Sequence, residues 1–139
     1  MSLGKSHTLG HASLPLLALI LACPASAQDF SKASVQPVTL SDFKFTPNAI
    51  RLHAGKPVIL RLTNAAQQPH EFAAPEFFAK AAVRPSDAKL INKEGEAEVA
   101  PGKRVDIGLV PKAGTYHLQC NKPGHAALGM VGTIVIIVK

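Results

Sequence analysis

Thr115-Tyr116-His117-Leu118-Gln119-Cys120, then Asn121-Lys122-Pro123-Gly124-His125-Ala126-Ala127-Leu128-Gly129-Met130, then Thr133-Ile134-Val135-Ile136-Ile137-Val138, reads as strand, loop, strand. In an extended chain, successive side chains point to opposite faces. Cys120 therefore shares a face with Leu118 and Tyr116, and His117 and Gln119 share the other. The spacing predicts an inward-pointing cysteine at the end of a strand. The β-branched run 133–138 is continuous, as expected for a strand buried on both sides or docked across a sheet.

The loop between them carries the chemistry. Its pattern is Cys-x4-His-x4-Met, broken by Gly and Pro, so it can curl a thiolate, an imidazole and a thioether around one point. That is a soft donor set, whereas calcium or magnesium would want oxygens. The thioether favours copper over zinc. A copper site of this kind needs a second histidine. His53 abuts a turn and is out of phase with Ile50 and Leu52, so it is expected in solvent. His117 faces away from Cys120. His70 opens the segment His70-Glu71-Phe72, 50 residues before Cys120, after the polar loop Asn64 to Pro69. A ligand from a distant neighbouring strand pre-organises a site, and His70 is the candidate.

Working outward, the rest of the chain also reads as strands. Ile50-Arg51-Leu52-His53 and Val58-Ile59-Leu60-Arg61-Leu62 flank the turn Ala54-Gly55-Lys56-Pro57 and resemble a β-hairpin. After Pro101-Gly102, Val105, Ile107 and Leu109 share one face of a further strand. Pro75 to Val83 is expected to be a short helix, with Pro in the first turn and a stop before Arg84-Pro85. Arg84 to Lys93 reads as loop. Glu94, Glu96 and Glu98 alternate onto one strand face opposite Ala97 and Val99, and a solvated face is expected there. Short strands with Gly/Pro turns about every ten residues argue for a sandwich or barrel.

Composition sets the outer bounds. The chain has 139 residues, 47% hydrophobic and 17% charged, which fits one globular domain. Its net charge of +6 comes from dispersed Lys and Arg, and with no Trp and one Tyr it lacks the basic, stacking surface of a nucleic-acid binder. Two cysteines cannot make a disulfide-rich scaffold. Lys5, the apolar run Leu14 to Ala22 and Ala25-Ser26-Ala27 read as an export signal over 1–27, cleaved after Ala27, leaving a domain over 28–139. The apolar run is too short to span a bilayer. Cys23 follows Ile20-Leu21-Ala22, which fits a lipobox poorly. Cleavage leaves Cys120 and Met130 as the only sulfur side chains, ten residues apart with His125 midway.

Together these segments resemble the cupredoxins, the small type-1 (blue) copper proteins related to plastocyanin and azurin. Phe45 to Ile50, Ala54 to Val58 and Leu62-Thr63-Asn64 look like the family's opening hairpin. His70-Glu71-Phe72 looks like its first-ligand segment. Pro101-Gly102-Lys103, Ala113 to Tyr116 and Cys120 to Gly132 look like its C-terminal half. The resemblance implies an all-β Greek-key sandwich with one short helix, binding one copper ion through His70, Cys120, His125 and, as weak axial ligand, Met130.

One position departs from the pattern. Many of the family carry Asn after the first histidine, bridging to the cysteine segment, with its backbone supporting the thiolate. Here that residue is Glu71. It is expected to be a solvated strand residue; the alternatives are an acceptor near the site that tunes the potential, or a copper ligand. Asn64 or Asn121 are candidates to supply the bridge.

The function expected is that of a soluble, monomeric, periplasmic one-electron carrier without enzyme activity. Pro123, Gly124, Ala126, Ala127 and Leu128 would form a docking patch around His125 for a redox partner, an acidic one given the net positive charge. The alternative is copper storage, delivery or resistance. No bilayer span and no second histidine cluster are apparent in the sequence.

Overall fold

The computed structural model describes residues 28–139 together with Met1, Leu3 and Gly4; the rest of the expected export signal over 1–27, with its expected cleavage site and Cys23, lies outside the described residues. Ten strands and one short α-helix follow in chain order: β1 Ser34–Ser41, β2 Lys44–Thr46, β3 Ala49–His53, β4 Val58–Asn64, β5 His70–Ala73, α1 Pro75–Lys80, β6 Ala82–Val83, β7 Glu96–Val99, β8 Arg104–Val110, β9 Gly114–Gln119 and β10 Val131–Ile137. One five-stranded sheet has the order β2-β1-β4-β8-β6 and the other β3-β10-β9-β5-β7. The pairs β1·β4 and β3·β10 are parallel. This is the all-β Greek-key sandwich with one short helix that the sequence implies.

The chain changes sheet at every connection from β2 to β9. That corrects the hairpin expected at β3 and β4, which lie in opposite sheets. The turn between them is a corner of the sandwich: the Ala54 and Gly55 amides are bound by the Ile137 and Pro111 carbonyls, at 2.9 and 3.0 Å. β3 is thereby left to pair with β10, and β4 with β1 and β8.

Alternation builds the core. Val58, Leu60 and Leu62 of β4, Ile107 and Leu109 of β8, Tyr116 and Leu118 of β9, and Ile134 and Ile136 of β10 all face inward. β10 is therefore buried on one face, not both: Thr133 and Ile137 are exposed despite the continuous β-branched run. β1 was not evident in the sequence. Its Pro37 interrupts the strand pattern, but it precedes the stretch Thr39–Ser41 that β2 covers, so no bond to β2 is lost. Val38 and Leu40 still pack fully into the core.

The helix begins at Pro75 as expected, with Glu76 in its first turn and Lys80 in its last. It ends three residues earlier than its sequence suggests, because Ala82 and Val83 pair with Val110 and Leu109 of β8. Residues Pro85–Leu90, expected as loop, form a 3-10 helix tied down by buried Asp87. β7 holds only Glu96 and Glu98 of the three acidic residues; Glu94 lies in the preceding turn.

Two features of this topology position the chemistry. β9 and β10 are neighbours, so residues 120–130 form a loop over one end of the sandwich. β5 is antiparallel to β9, with its last residue Ala73 opposite Gln119, the last of β9, so the start of β5 runs on beside the residues just past β9.

Candidate metal centre

That arrangement brings His70, at the start of β5, against Cys120, just past β9. The third member, His125, comes from the loop. Their donor atoms lie within 4.8 Å of one another. Cys120 Sγ is 3.5 Å from His125 Nδ1 and 3.9 Å from His70 Nδ1, and the two Nδ1 atoms are 3.2 Å apart. Cys120 and His70 are buried, and His125 keeps 9% of its surface.

Met130 sits wholly within the core, immediately before β10. Main-chain bonds of 3.0 Å link it to both other loop residues: the Cys120 N–H donates to the Met130 carbonyl, and the Met130 N–H donates to the His125 carbonyl. The curl is local. His125 N–H donates to the Lys122 carbonyl and Gly129 N–H to the Ala126 carbonyl, while Gly124 and Gly129 take positive φ of 80° and 103°. Such dihedrals suit glycine.

Two features ready the donors for a soft cation. Burial, and then the neighbouring His125, push the His70 imidazole below its ordinary pKa, keeping it neutral with a free lone pair. The Glu71 N–H donates to Cys120 Sγ over 3.4 Å, which favours negative charge on sulfur. Two imidazole nitrogens and a thiol directed at one buried point, with a thioether in the same loop, fit one copper ion and suit hard, oxygen-seeking cations poorly.

The surroundings resolve the remaining sequence expectations. Glu71 is neither solvated nor a member of the donor cluster. Its side chain is 14% exposed and its carboxylate takes Lys122 Nζ at 3.0 Å. Lys122 also binds Glu98 at 2.6 Å, and the bonds from Glu98 and then Glu71 push its ammonium well above the ordinary lysine range. Asn121 reaches Glu96 and Gln119. Asn64 is buried and ties its own loop to β7: Nδ2 donates to the Gln68 and Val99 carbonyls at 2.7 and 2.8 Å, and Oδ1 accepts the Ala66 N–H at 2.9 Å. It shapes the turn that delivers His70. His53 and His117 are exposed, as their phase predicted.

Sequence reasoning missed Asp42 and Phe43. Asp42 Oδ1 lies 4.0 Å from His70 Nε2, which is buried and has no hydrogen-bond partner. Phe43 stands against the His125 ring. With Gln67, Gln68 and the two histidines they line a cleft of about 230 Å³. Neither residue belongs to a motif; only the turn between β1 and β2 places them there.

Comparison with known proteins agrees with this picture. No curated protein matches the sequence. Solved structures of the same fold include an auracyanin from the photosynthetic bacterium Roseiflexus castenholzii, with a TM-score of 0.56 and 16% identity over 76% of this chain and 98% of that one. Auracyanin A, a blue copper protein from Chloroflexus aurantiacus, gives 0.50 and 22% over 73% of this chain and 100% of that one. The McoA multicopper oxidase of Aquifex aeolicus gives 0.58 and 18% over 78% of this chain but only 30% of that one. At these identities the shared property is the fold. The family model of the cupredoxin-like domain matches residues 13–136, and the chain belongs to that family.

Proposed function

We propose that the protein binds one copper ion, which would be held by His70 Nδ1, Cys120 Sγ and His125 Nδ1 with the Met130 thioether as a further, weaker donor, and works as a one-electron carrier. The observation that carries this reading is the convergence of two imidazole nitrogens and a thiol at one buried point, beside a main-chain N–H aimed at the sulfur. Bound copper supplies a one-electron couple. The chain's own part is to hold the donors still. His70 is fixed by β5 and Asn64, Cys120 by β9 and the Glu71 N–H, and His125 and Met130 by the bonds that close the loop. A rigid donor set moves little between oxidation states, so electron exchange is fast. Burial and the N–H bond to sulfur tune the potential.

His125 is also the way out. Its ring lies at the cleft mouth with Phe43, and Leu128, 64% exposed, stands three residues along the same loop. A small apolar rim of this kind suits brief docking of a redox partner, and the net charge of +6 favours an acidic one at low ionic strength. The export signal over 1–27 supports a periplasmic protein whose working part is a monomeric domain over 28–139. No helix among the described residues is long and apolar enough to cross a membrane. A donor set of His70 from β5 with Cys120, His125 and Met130 from the loop serves a carrier; oxidase chemistry requires a further copper centre, and we read the chain as no enzyme by itself.

The test is a titration of the protein with Cu(II), followed by visible absorption and electron paramagnetic resonance, beside Cys120→Ser. An intense blue band saturating at one equivalent and absent from Cys120→Ser is expected. Fast self-exchange between oxidised and reduced forms then separates a carrier from a copper store or delivery protein. No binding by the wild type would overturn the reading.

A further inference from the structure

Glu71 and Glu98 lie directly opposite each other in the β5·β7 register. Like charges so placed repel across an antiparallel pair. Here they do not stand alone, because Lys122 Nζ sits between them, 3.0 Å from Glu71 Oε1 and 2.6 Å from Glu98 Oε2. Lys122 is two residues past Cys120 and its carbonyl accepts the His125 N–H. One side chain therefore ties the ligand loop to two strands of the sheet below it. The pair is partly sheltered, with Lys122 26% and Glu71 14% exposed, so it counts for more than a solvated surface bridge. On the main-chain side of the same residue, the Glu71 N–H is the group that donates to Cys120 Sγ.

We propose that Lys122 is a positioning residue for the metal centre: by clasping Glu71 and Glu98 it holds the Cys120–His125 loop on β5 and β7 and keeps the Glu71 N–H on the Cys120 sulfur. An ion pair thus does here what a bridging asparagine does in many of the family. Its consequence for the bound metal rests on the copper reading above; its consequence for the loop does not.

The experiment compares full-length wild type with Lys122→Arg, Lys122→Met, the charge-neutral double variant Glu71→Gln/Lys122→Met, and Lys93→Met as a charge control, since Lys93 is 89% exposed and pairs only with Glu94. In the metal-free protein, amide hydrogen exchange is read at Glu71, with Phe72 and Val99 as internal references. In the copper-loaded protein, the sulfur-to-copper absorption band and the reduction potential are read. Lys122→Met and the double variant should raise exchange at Glu71 about tenfold relative to the references, the ratio for about 1.4 kcal/mol of lost protection. They should also displace the band, whereas Lys122→Arg and Lys93→Met should resemble wild type. A uniform rise at all three amides would mean a general loss of stability and would overturn the proposal. So would a double variant that matches wild type, because then charge alone matters. If the wild type forms no blue copper site, the copper reading fails on that result alone, and the exchange comparison still decides whether the clasp holds the loop.

Discussion

Phe43 stands edge-on to His125, with ring centroids 5.2 Å apart and planes at 82°. Phe43 holds a φ of 58°, unusual for a residue with a bulky side chain, and is 40% exposed. The turn between β1 and β2 thus keeps an apolar ring over the only part of the donor cluster that reaches the surface. Phe43→Ala should open that edge to water. The stability cost should be small, about 1 kcal/mol, because the ring is already partly exposed. Copper loss to an excess of chelator should become several-fold faster, which stopped-flow absorption of the copper band would measure. An unchanged rate would mean that the ring does not control access.

Asp87 links the 3-10 helix to β8. Its Oδ2 accepts the Gly108 N–H and the Arg84 Nε–H, each at 2.8 Å, and its Oδ1 accepts the Ser86 hydroxyl at 3.0 Å. Burial raises the pKa of this carboxyl, but the bonds from Gly108, Arg84 and Ser86 together outweigh it and leave the pKa below the ordinary value of 3.8. A carboxyl depressed on folding contributes stability in full above its unfolded pKa, and that contribution is lost as pH falls through the lower folded value. Asp87→Asn should cost about 1–3 kcal/mol at neutral pH, read by urea unfolding. Below about pH 4 the gap between variant and wild type should narrow, because only the wild type has a carboxylate to lose there. A gap that stays constant with pH would show that the charge contributes nothing.

The candidate donors were legible because their pattern is local. Cys120, His125 and Met130 share one loop, and the phase of β9 alone turns Cys120 inward and His117 outward. His70 was reachable by eliminating the other histidines. What was hidden depends on pairing between distant strands. The Ala54–Pro57 turn has the composition of a hairpin, and only the partners of β3 and β4 make it a corner. Lys122 reads as a plain loop lysine until the β5·β7 register sets Glu71 opposite Glu98. β1 was obscured by Pro37 and by exposed polar residues, since a strand at this place needs only Val38 and Leu40 to face the core.

Gly132 of β10 has no room for a side chain. A Cβ there would meet the Asn48 carbonyl oxygen at 2.5 Å and Leu118 Cδ2 at 3.2 Å. The carbonyl cannot swing aside freely, because it accepts the Thr133 N–H at 2.8 Å where the chain approaches β3. Gly132→Ala should therefore destabilise by about 1–3 kcal/mol, the usual cost of overpacking. Differential scanning calorimetry should show the melting temperature falling by several degrees. A variant as stable as wild type would mean that the crossing before β3 is soft.

Asn64 makes a testable link between the fold and the metal centre. It is 1% exposed and uses donor and acceptor alike, bonding the Gln68 and Val99 carbonyls and the Ala66 N–H. In Asn64→Ala three main-chain groups lose their partner together. Each buried group left unsatisfied costs about 1–3 kcal/mol, and those in the loop recover part of it from water, so a net loss of about 3 kcal/mol is expected. Asn64→Asp keeps the acceptor for Ala66 but turns acceptor oxygens towards both carbonyls, and should be no better tolerated. The loop Asn64–Pro69 ends at His70, so its loosening should weaken copper binding more than an equally destabilising change far from the site. Asp87→Asn, on the 3-10 helix against β8, provides that comparison. Competition with a chelator should show a clear drop in copper affinity for Asn64→Ala and little change for Asp87→Asn. Equal effects would mean that Asn64 acts through global stability alone, without aiming His70.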